Sequence, residues 1–102
     1  THVIMNGELH TIHCTNSSSK TYRGEEWINV EIVVLGDSII HHLVAGDTVL
    51  TYSKPQIGGD TPEGFPLPEG TLISNGYIAL QAESHSYEFR KVELLDLSDQ
   101  YE

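Results

Sequence analysis

The sequence predicts an all-β, antiparallel β-sandwich, and three observations point there. No window of ten or more residues repeats apolar side chains at helical spacing. β-Branched and aromatic residues gather instead into short runs. Gly, Asp, Asn and Pro interrupt those runs at regular intervals, as turns between short strands require.

Taken in order, residues 3–5 and 9–15 read as two short strands around Asn6-Gly7, a dipeptide that accepts positive φ and so favours a tight hairpin. Residues 16–25 are polar and read as a loop. Residues 27–35 carry the strongest strand pattern. Ile28, Val30, Ile32 and Val34 fall on one face, and Trp27, Asn29, Glu31, Val33 and Leu35 on the other. Gly36-Asp37 turns the chain into a strand over 38–45, and Gly46-Asp47 turns it again into one over 48–54. These three strands form a meander. All four prolines lie between residues 55 and 69, which predicts a long connection, because proline removes a ladder donor. Residues 76–83 and 87–97 alternate again and predict the last two strands, turning through Ser84-His85-Ser86. Outer strands left uncovered by such a meander are prone to associate.

At 102 residues the chain has the size of a single β domain spanning 1–102. Its formal net charge of −10 repels phosphate backbones and anionic lipid, so nucleic acid and membrane surfaces are excluded as partners. No apolar run approaches the length that crosses a bilayer. Cys14 is the only cysteine, so no disulfide forms within the chain.

Two segments carry a resemblance to a known family. Trp27-Ile-Asn-Val-Glu-Ile-Val-Val-Leu-Gly-Asp-Ser-Ile-Ile-His41-His42 joins a tryptophan-led strand, a Gly-Asp turn and a histidine-bearing strand. Gly76-Tyr-Ile-Ala-Leu-Gln is followed by Phe89-Arg90-Lys-Val. Together they resemble the DUF1080, or 3-keto-disaccharide hydrolase, domains over residues 27 to 97. The resemblance implies a concanavalin A-like jelly roll of two curved sheets, sugar chemistry on the concave face and a secreted or periplasmic location, although no signal peptide opens the chain. Full family domains are longer, so the sequence resembles the C-terminal portion of one. Ala45-Gly46 stands where the family usually has Asn-Gly.

The resemblance places a functional histidine at His41. His41 and His42 are adjacent on one strand and so face opposite ways; the competing reading of each is a histidine that hydrogen-bonds within the sheet. Gln81, Glu83 and His85 form the second candidate set. Glutamine offers a donor and an acceptor to vicinal hydroxyls, and Glu83, with a histidine, supplies acid–base chemistry. Arg90 is a candidate for sugar or carboxylate contact, against a purely structural ion pair with a glutamate. Trp27 and Tyr52 offer aromatic faces for sugar stacking, against a core role for Trp27. His10 and His13 would point to opposite faces of a strand and make a poor metal site. A divalent metal suits such donors, but no ligand spacing indicates one, and no cofactor is assigned.

These readings predict a carbohydrate-binding domain of a sugar-active protein. The alternatives are an enzyme acting on 3-keto-disaccharides with Glu83 and His41 as its acid–base pair, and a non-catalytic domain that self-associates through exposed sheet edges.

Overall fold

A computed structural model describes residues 1–12, 14–23, 25–59, 63–82 and 86–97. These residues form five strands: β1 (His2–Met5), β2 (Glu8–His10), β3 (Val30–Leu35), β4 (Ile39–Val44) and β5 (Asp47–Gln56). All pair antiparallel in one sheet of order β2-β1-β5-β4-β3. The all-β antiparallel class therefore holds, as one sheet consistent with a partial sandwich. Read backwards, β5, β4 and β3 are joined by hairpins, and the β1–β2 hairpin adds to the sheet with β1 beside β5.

Each tight turn has a local cause. Asn6 and Gly7 both take positive φ (53° and 79°), as do Ala45 and Gly46 (51° and 85°). Two consecutive positive values suit a two-residue turn whose twist matches that of its flanking strands. At the third turn the Ser38 amide donates to the Leu35 carbonyl at 3.1 Å, with Gly36 supplying the positive φ.

The hairpin of β4 and β5 carries a bulge. The turn pairs Val44 with Asp47 and Leu43 with Thr48, but His42 then pairs with Leu50, so Val49 is the extra residue. Its carbonyl accepts from the Ser18 amide at 2.8 Å and from Ser18 Oγ at 3.2 Å. The long connection from β2 to β3 is thereby pinned to the sheet at its irregular point. A second shift lies between β1 and β5, where Lys54 adopts positive φ.

Three predicted boundaries change most. The second strand stops at His10 rather than Thr15, because β1 offers only a short partner. β3 begins at Val30, not Trp27: the Ala45 amide donates to the Asn29 carbonyl in the last rung before β4 turns away. β5 runs on through Pro55 to Gln56. Proline is tolerated there because β4 pairs with β5 only as far as Ser53. Thr71 to Ile73 then fold back along the end of β5, the Ile73 amide donating to the Pro55 carbonyl at 2.7 Å.

The largest correction concerns residues 76–82 and 86–97, which lie outside any strand. Their alternation specifies what a strand would bury but supplies no partner. Tyr77, Ile78, Leu80, Tyr87, Phe89, Val92, Leu94 and Leu95 are exposed in consequence.

The core is correspondingly small. Among the described residues the buried apolar side chains are Pro55 and Ile40, the latter 8% exposed on the face it shares with His42, Tyr52 and Val34. His2 is buried against Gly58, where a Cβ would overlap the imidazole.

Candidate functional site

Strand pairing decides which polar side chains meet. In an antiparallel sheet, residues opposite one another share a face. Val33, His41 and Thr51 are opposite in successive strands, as are Glu31 and Leu43. One face of the β3–β4–β5 meander therefore carries Glu31, His41 and Thr51.

On this face the polar groups are paired in two short bonds. His41 Nδ1 lies 2.8 Å from Thr51 Oγ1. Asn29 Nδ2 donates to Glu31 Oε1 at 3.0 Å. Glu31 and Thr51 are exposed and His41 is half-buried, so solvent reaches all three. An amide, a carboxylate, an imidazole and a hydroxyl together provide the mixed donors and acceptors that a polyol requires.

The opposite face carries a tighter pair. His42 Nε2 lies 2.8 Å from the Tyr52 hydroxyl, with ring centroids 5.2 Å apart and tilted by 57°. Burial pulls the His42 imidazole below its ordinary value and pushes the Tyr52 phenol above its own. Tyr52, expected to offer an open aromatic face, is half-buried and bonded here instead.

Trp27 and Arg90, nominated separately in sequence, come together. The Arg90 guanidinium sits over the indole at 5.6 Å from its centroid, a cation–π contact. Trp27 remains 57% exposed rather than joining the core. It lies two residues before Asn29, in step with the Asn29–Glu31 row. Arg90, expected on a paired strand, lies outside any strand.

Of the second candidate set, Gln81 is exposed. Glu83 and His85 lie outside the described residues, as does His13. Among the described residues no three His, Cys, Asp or Glu side chains converge on a metal-sized site. A groove of about 560 Å³ opens where Ser18, Ser19, Lys20 and Tyr22 fold over Asp47 to Val49. It contains none of the nominated residues, and its serine hydroxyls are engaged with backbone, Ser18 Oγ on Val49 and Ser19 Oγ on Lys20.

Sequence reasoning did not nominate Glu31, Asn29 or Thr51. Glu31 was visible as the one charged side chain in an otherwise apolar strand. Thr51 was not, because its place beside His41 depends on the bulge at Val49.

Residues 4–95 match the model of the 3-keto-alpha-glucoside-1,2-lyase-like domain. The chain belongs to this family. No curated protein matches the chain, nor does any solved structure. The match begins inside β1 and takes in all of β2 to β5, the Arg90–Trp27 contact and both histidine pairs.

Proposed function

We propose that this domain binds carbohydrate on the face that carries Glu31, His41 and Thr51, with Trp27 and Arg90 at its margin. The observation behind this reading is the side-by-side placement of two polar pairs, Asn29–Glu31 and His41–Thr51, on one solvent-facing surface. Vicinal hydroxyls both donate and accept, and such pairs answer both needs. The uncovered part of the Trp27 ring supplies an apolar plane for the C–H face of a pyranose. Family membership supports a sugar-related role.

Calorimetric titration against a panel of glucans and disaccharides, including a 3-keto-glucoside, tests the reading. Weak binding to at least one sugar is expected, with His41→Ala and Glu31→Ala each weakening it by roughly five- to tenfold, the worth of one hydrogen bond. Silence across the panel sinks it.

The family's description favours a second reading, catalysis on a 3-keto-glucoside. A ketone at C3 acidifies the C2 hydrogen. A base that removes this proton drives a C1–C2 double bond as the C1–O bond breaks, and an acid returns a proton to the departing oxygen. In the tautomer whose Nδ1–H donates to Thr51, His41 keeps the Nε2 lone pair that a base needs. Glu83 is the companion acid in this scheme. Turnover of a 3-keto-glucoside lost in both His41→Ala and Glu83→Gln supports catalysis; turnover that survives both excludes this assignment.

A further inference from the structure

The exposed edge of β3 is matched to a second copy of itself. β3 pairs only with β4 among the described residues, so its other side is an open sheet edge of six residues. The Asn29 carbonyl bonds to Ala45 toward β4. Backbone groups alternate in direction along a strand, so Glu31, Val33 and Leu35 also face β4. The amides and carbonyls of Val30, Ile32 and Val34 therefore point outward. The side chains of the same three residues lie on one face and are 52–62% exposed. No proline interrupts the edge, and Glu31 is its one charge. An edge of this kind templates pairing.

The total surface indicates how much is left to cover. The chain exposes 8970 Å², whereas a folded monomer of 11.3 kDa exposes roughly 5,700 Å². A surplus of about 3,000 Å² per chain is on the scale of what each partner buries in an obligate dimer, roughly 1,000–2,500 Å². Exposed apolar side chains on β3 and in residues 76–82 and 86–97 are part of it. The Arg90 contact with Trp27 sets Arg90 beside the entry to β3.

We infer that two copies of this chain join β3 to β3 about a twofold axis normal to the sheet, centred on Ile32. In this register Ile32 faces its own counterpart, and Val30 faces Val34 of the second copy. All three pairs use outward backbone groups, giving about six ladder hydrogen bonds. Glu31 falls opposite Val33 rather than opposite itself, which avoids the destabilising juxtaposition of like charges. The result is a continuous sheet through both copies, with residues 86–97 of each beside its widened surface.

The test uses the whole chain in a Cys14→Ser background, since Cys14 is exposed and would cross-link by itself. Light scattering across a concentration series is expected to show twice the monomer mass at high micromolar concentration. Ile32→Lys, which sets like charges face to face, is expected to return a monomer with an unchanged far-ultraviolet spectrum. Ile32→Cys is expected to form a reducible dimer on mild oxidation, and Val33→Cys to do so at least tenfold less. A monomer at every concentration overturns the inference and leaves a different partner, or further chain of the same protein, as the cover for β3. A dimer that cross-links equally through positions 32 and 33 also overturns it.

Discussion

At the scale of single residues, the His42–Tyr52 pair ties stability to pH on two sides. Burial lowers the imidazole's affinity for a proton from an ordinary value of 6.5. The unfolded chain therefore takes up that proton more readily than the folded one as pH falls. The stability this group contributes is complete above 6.5 and is lost as pH falls through its lower folded value. For Tyr52 the direction reverses. Its phenol is raised above 10.0, so its contribution is complete below 10 and is lost as pH rises through the higher folded value. Urea unfolding across pH should give a plateau between these limits with a decline on each side. Tyr52→Phe is expected to cost about 1 kcal/mol through the lost hydrogen bond and to reduce the alkaline decline. The acid decline should persist, because burial rather than the phenol holds His42 down. A variant that loses the acid decline instead contradicts this assignment.

At the scale of elements, the β4–β5 turn holds the clearest stored strain. Ala45 sits at φ 51°, a region that carries a penalty of roughly 1–2 kcal/mol for a residue with a Cβ. Asparagine tolerates it better because its side chain bonds locally. Ala45→Asn should therefore raise stability by roughly 0.5–1 kcal/mol in a denaturant titration, and an unchanged or lowered midpoint refutes the turn assignment. This hairpin also separates what the sequence discloses from what it conceals. Gly46 and the alternation through Ile39 to Val44 make the hairpin plain from the residues alone. A plain two-residue turn would have set His41 opposite Leu50, but the bulge at Val49 moves Thr51 there instead. The side chain of Val49 gives no sign of this. Its cause is remote, in the Ser18 amide and hydroxyl that take up the Val49 carbonyl. β1 beside β5 is likewise a pairing between distant segments that alternation leaves open. Residues 76–82 and 86–97 show the same limit from the other side, since their pattern suits a strand while they lie outside any strand among the described residues. The candidate site is legible to a matching degree: Trp27 and Arg90 were nominated apart and meet, whereas Glu31 joins His41 only through register.

At the scale of the whole molecule, one sheet is asked to stand with little to cover it. The radius of gyration is 15.3 Å, against ~13 Å for a compact chain of this length. With so small a buried core, the surface between copies is expected to carry a large share of the folding free energy. Folding and association are then linked, and stability depends on concentration by mass action. Each tenfold increase in protein contributes about 1.4 kcal/mol per dimer, or half of that per chain. For a domain near 100 residues this shift raises the thermal midpoint by roughly 3–6 °C per tenfold. Charge modulates the effect. Each copy carries a formal −10, and bringing two together costs less when salt shortens the screening length to about 10 Å near 0.1 M. The midpoint should thus climb with protein concentration and climb further with salt, while Ile32→Lys should show a lower midpoint that ignores concentration. A wild-type midpoint equally indifferent to concentration would mean that the sheet is stable alone, and the surplus surface would then have no part in folding.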